Sequence, residues 1–174
     1  MDLVQHCELC DHQQKDYIEG SFCKFTNKKP EFNTTCIKIG LTNKCEKRIK
    51  EVNIAYQKVM QRKTITWLYF CIFLTIGLSF IIGGIVYLVT TETFFRNAYK
   101  VPGFLIIFGV GFLFISFPPL KGYLRDKYLT EKKKNTLDSV LQLYGVTYNI
   151  VVKLGKEKNG DPKIHTQLTI KKNR

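Results

Sequence analysis

Two long stretches of this 174-residue chain, Ile65–Val89 and Val101–Leu120, contain no Asp, Glu, Lys or Arg. Proton relays, ion sites and voltage sensors inside membranes are built from ionisable groups, so a chain without them is a poor pump or secondary transporter. Acidic residues are scarce throughout, 14 against 27 Lys and Arg, and the formal net charge is +13. Prolines number five, and none lies between Asn43 and Val89, so nothing in that interval breaks a helix. The motifs of enzyme chemistry are missing as well. There is no phosphate-cradling glycine loop, no H-E-x-x-H, and no Ser/His/Asp or Cys/His arrangement of the kind catalysis uses. These gaps point away from a soluble enzyme.

The two uncharged runs are 25 and 20 residues long. About 20 apolar residues cross a bilayer core at a rise of about 1.5 Å each, so both runs read as transmembrane helices. Buried core helices of a soluble protein are the competing reading, disfavoured by the small size of what remains. The first run starts some 64 residues into the chain, too late for a cleavable signal peptide. Positive charge crowds the outer flanks, at Lys58, Arg62 and Lys63 before the first run and Lys121, Arg125 and Lys127 after the second. Residues 1–64 carry a net +4, the short connection +1, and residues 121–174 a net +8. Lys and Arg collect on the cytoplasmic side, so the expected layout is a two-span hairpin with both termini cytoplasmic and the short connection facing out. The same bias raises nucleic acid as a partner. Contact of Lys132-Lys133-Lys134 and the flanking bases with anionic headgroups of the lipid bilayer is the stronger reading.

Five of the six cysteines precede residue 46. Cys7 and Cys10 form a C-x2-C pair, with Cys23 and Cys36 following at equal intervals. Four thiolates in a short segment suit tetrahedral zinc. A unit of about 40 residues with so few apolar side chains seldom folds without a metal or disulfide. Two disulfides would need an oxidising compartment, against the cytoplasmic placement. Redox chemistry at the C-x2-C pair would normally follow a strand, and none is expected before Cys7. The spacing therefore favours structural zinc held by Cys7, Cys10, Cys23 and Cys36, with Cys45 and Cys71 outside the set. His6 and His12 read as surface histidines.

The strings Cys7-Glu8-Leu9-Cys10-Asp11, Gly20-Ser21-Phe22-Cys23-Lys24-Phe25-Thr26 and Lys29-Pro30-Glu31-Phe32, followed by Cys36, resemble an N-terminal module of uncharacterised Bacteroidota membrane proteins. In those proteins a zinc-ribbon-like unit precedes transmembrane helices. The resemblance covers about 30 residues and implies metal binding at the four cysteines rather than an activity. A zinc ribbon usually has two C-x2-C knuckles, and this chain has one.

The expected fold class is a membrane α-helical protein: a two-span transmembrane hairpin with an N-terminal cysteine zinc module and a C-terminal cytoplasmic helix plus β-hairpin. The expected boundaries are a zinc module over 1–42, a basic helix over 43–64, spans over 65–90 and 101–120, a periplasmic connection over 91–100, and a tail over 121–174. Small residues recur every fourth position at Cys71, Thr75, Ser79 and Gly83, a stripe suited to packing against the second span or another subunit. Pro118-Pro119 reads as the end of the second span. Beyond it Leu137, Val140, Leu141 and Tyr144 form a helical apolar stripe. Apolar and polar residues then alternate from Val146 to Leu154 and from Ile164 to Ile170, around an Asn159-Gly160-Asp161-Pro162 turn. This pattern fits a non-enzymatic accessory or assembly subunit, contacting other membrane protein subunits or itself. A homo-oligomeric pore and a membrane thiol-redox protein are the alternatives.

Overall fold

The computed structural model describes residues 3–16, 20–32, 34–90, 100–155 and 164–172. The connection 91–99 and the turn Asn159–Pro162 lie outside the described residues. In chain order the elements are α1 (Leu3–Glu8), β1 (Gln13–Asp16), β2 (Gly20–Cys23), α2 (Asn43–Thr90), α3 (Lys100–Leu143), β3 (Val146–Leu154) and β4 (Ile164–Lys172). They fall into two compact units, one from Met1–Lys58 with Leu129–Arg174 and the other from Val59–Tyr128.

The first unit is built from both ends of the chain. Cys45, Ile49 and Val52 lie one helical turn apart on α2 and are all buried, because that spacing puts them on one face. Leu137, Val140 and Leu141 of α3 and Leu9 close the same core. β3 and β4 pair antiparallel, with Tyr148 opposite Ile170 and Ile150 opposite Leu168. Those four side chains share one face of the hairpin and pack on the core, as the alternating pattern requires. Gly145, at φ 62°, turns the chain out of α3 and into β3. Asn53 is buried beneath the hairpin and donates to the Ile49 carbonyl (2.9 Å) and the Tyr148 hydroxyl (3.2 Å). Tyr148 in turn donates to Asp138 at 2.5 Å, so this buried polar group is partnered.

The second unit is a pair of helical segments. Their contact is made at glycines, where backbones approach closely. A Cβ on Gly109 would lie 2.6 Å from Ile81 Cγ1 and 2.7 Å from the Gly77 carbonyl oxygen, and one on Gly84 would meet Ile106 Cγ1 at 2.8 Å. Phe80 stacks on Phe112 at 5.8 Å, and Phe70 meets Phe117 edge-on at 5.7 Å. The outward faces carry exposed Ile65, Ile82, Phe104, Ile107 and Phe114. Both α2 and α3 are long and apolar enough to cross a membrane, and only 11% and 17% of their most apolar windows are buried.

Pro118-Pro119 does not end a helix, contrary to the sequence reading: α3 runs through both to Leu143. The pair removes two adjacent amide donors, which leaves the carbonyls of Phe114 and Ile115 without their usual partners. A helix end there would orphan about four carbonyls, so continuation is the smaller loss. The basic helix and the first span are likewise one uninterrupted helix from Asn43 to Thr90.

Candidate metal centre

Cys7 lies in the last turn of α1, and a tight turn in which the Cys10 amide donates to the Cys7 carbonyl (3.0 Å) follows it. The Gln13 amide continues the turn by donating to the Cys10 carbonyl at 3.2 Å. The short β1–β2 hairpin then pairs Gln13 with Cys23, which returns the third cysteine to the first two. Past Cys23 the chain folds back sharply. The Thr26 and Asn27 amides donate to the Cys23 carbonyl at 3.2 and 2.8 Å, and Asn27 adopts φ 51°. Asn tolerates that left-handed geometry better than most residues.

Cys7, Cys10, Cys23 and Cys36 all line one cleft of about 310 Å3, together with Phe25, Pro30, Phe32 and Ile37. Burial pushes the Cys7 thiol up to about 11, and Cys10, Cys36 and Cys23 push it the same way, while the Lys44 ammonium opposes them. Among the described residues no three His, Cys, Asp or Glu side chains are already placed to hold one metal ion. The shared lining and the mutual influence of the thiols locate a common site. Zinc held by all four thiolates would need each sulfur at about 2.3 Å from one ion. The donor set fits zinc: four soft thiols, largely apolar walls and one nearby cation to offset thiolate charge.

Two polar anchors fix this site to the helices of its own unit. Asp11, directly after Cys10, accepts the amides of Thr42 (2.9 Å) and Lys44 (2.8 Å) and the Thr42 hydroxyl. It thereby caps α2, whose first turn begins with the Glu46 amide donating to the Thr42 carbonyl. Burial would raise the Asp11 carboxyl, but the bonds from Thr42 and Lys44 outweigh it and hold the group below its ordinary value. At the other side the Cys36 amide donates to the Tyr144 hydroxyl at 3.0 Å. The same hydroxyl lies 3.0 Å from His6 Nδ1, a bond whose donor is set by the ring's tautomer. Burial, then the chain's N-terminal charge, lowers the His6 pKa, which favours the neutral ring. Burial raises the Tyr144 pKa, so its hydroxyl stays protonated.

Cys7, Cys10, Cys23 and Cys36, the four chosen from spacing, line that cleft, and Cys45 and Cys71 do not. Cys45 is a core residue, 1% exposed. His6 is not a surface histidine: it is 2% exposed and edge-on to both Phe32 and Tyr144. Cys71, Thr75 and Ser79 are exposed along α2, and a Cβ on Gly83 would meet nothing within 4 Å, so this stripe is not the contact with α3. The Thr75 and Ser79 hydroxyls bond carbonyls of their own helix, those of Ile72 and Thr75. Sequence reasoning missed His6, Asp11, Lys44 and Tyr144. The only local signal was an acid immediately after the C-x2-C pair. Comparison with protein-family models, curated proteins and solved structures finds no match to this chain.

Proposed function

We propose that the chain is a non-enzymatic accessory or assembly subunit of a bacterial inner membrane, anchoring a cytoplasmic zinc module and hairpin tail for protein contacts. The observation that carries this reading is the convergence of Cys7, Cys10, Cys23 and Cys36 on one cleft, in the unit that also contains the β3–β4 hairpin. Zinc held there by four thiolates would supply folding energy, as structural zinc does, rather than chemistry. Outward-facing apolar side chains on α2 and α3 support insertion as a two-span hairpin. The Lys and Arg at its flanks would face anionic headgroups.

Thiol-redox activity at Cys7 and Cys10 is the less favoured reading. Reactive cysteines have lowered pKa values, whereas Cys7 is pushed up to about 11. Native mass spectrometry of the full chain extracted in mild detergent, with metal analysis of the same sample, tests the proposal. Zinc at about one per chain in a complex with a different subunit supports it. A closed homo-oligomer would favour the pore instead, and thiol-state cycling without zinc would favour redox work.

A further inference from the structure

The cysteine cleft is tied to helix ends far away in sequence. Asp11 follows the second cysteine and caps the start of α2, while Tyr144 sits between Leu143, the last residue of α3, and Gly145, which precedes β3. A single hydroxyl there meets the backbone of Cys36 and the ring of His6, the neighbour of Cys7. Two of the four proposed ligands are thus steadied from one point at the α3–β3 junction. Tyr148, four residues on, fastens the hairpin to Asp138 and Asn53. An outer group that orients a ligand also feels whether the ligand is held by metal, since the bond works in both directions.

We infer that Tyr144 and Asp11 are positioning residues of the metal site, and that through Tyr144 metal in the cysteine cleft orders the α3–β3 junction. This rests on the zinc reading. Without metal, the Cys36 loop would lose its tether to Cys7, Cys10 and Cys23, and the Tyr144 hydroxyl would lose a fixed partner. With metal, the loop is pinned and Tyr144 is clamped between Cys36 and His6. Protection of the first β3 amides should then follow metal occupancy, although no ligand lies on β3.

The test uses the full chain in mild detergent, with zinc as the probe. Zinc release to a chromogenic chelator is timed in wild type, Tyr144→Phe and Asp11→Asn, and amide hydrogen exchange is mapped before and after stripping. The expected result is retained zinc in both variants with release about tenfold faster, the scale of outer-shell substitutions. Stripping wild type should speed exchange at Val146–Ile150, and Tyr144→Phe should lose most of that response. A merely structural role would lower thermal stability with and without zinc and leave the release rate unchanged, which would overturn the inference. So would zinc-bound wild type whose β3 exchange ignores stripping, a comparison that needs no variant to fold. In those outcomes the zinc reading stands. Wild type that binds no zinc overturns both.

Discussion

Burial and the neighbouring thiols push the Cys7 thiol up to about 11, so zinc bound there would displace a proton at neutral pH. Cys→Ser at Cys7, Cys10, Cys23 or Cys36 should therefore abolish stoichiometric zinc and unfold the N-terminal module, measured by metal analysis and circular dichroism. Full zinc in Cys23→Ser or Cys36→Ser would show the ligand set to be wrong. Cys45→Ser is the contrasting case. Its thiol lies in the apolar core with Ile49 and Leu141, so the variant should keep its zinc and lose about 1–3 kcal/mol of stability to a buried hydroxyl. Tyr148 sets a pH limit away from the thiols. Burial, then the bond to Asp138, pushes it from 10 up to about 12. A raised folded value favours the protonated form, so its contribution is complete below pH 10 and is lost between pH 10 and about 12. Alkaline unfolding of Tyr148→Phe should lack that component, and an unchanged profile would refute the assignment.

Among the elements, the helix pair gives the sharpest contrast. Gly83 faces open space, so Gly83→Ala should be neutral or gain up to about 1 kcal/mol from better helix propensity. Gly109→Ala would drive a methyl into Ile81 and the Gly77 carbonyl, and should cost about 1–3 kcal/mol in thermal unfolding in detergent. Equal effects at the two sites would contradict the helix contact described. Small residues occupy more than one face of α2, and spacing alone does not say which face meets α3. Every-fourth spacing pointed to the stripe through Cys71 and Gly83, whereas the contact lies at Gly77 and Gly84. The hairpin was legible because alternation from Val146 to Leu154 has only one solution when a single face is buried. The start of α2 was legible too, at Asn43, after a polar turn and before a helical period. Passage through Pro118-Pro119 was not, since the local cost of proline is visible in sequence and the long helix on either side is what outweighs it. Tyr144 and His6 were hidden for another reason: they meet across 138 positions, and each looks ordinary where it stands.

For the whole molecule the decisive measurement is orientation. The bases at Lys58, Arg62, Lys63, Lys121, Arg125 and Lys127 predict that both ends remain in the cytoplasm and that residues 91–99 face outward. Reporter fusions at residue 174 and cysteine labelling within 91–99 check this, and an externally labelled terminus would reverse the layout. The first unit draws on residues before 59 and after 128, so its core joins Ile49 to Leu141 across everything that lies between. On a ribosome, at about 5–20 residues per second, the partner of Ile49 emerges on the order of 10 s after it does. Throughout that interval the nascent N-terminal segment exposes Leu9, Cys45 and Ile49 with nothing yet made to cover them. Zinc bound at the cysteine turns would not cover that core, so these side chains stay uncovered until the segment around Leu141 has emerged.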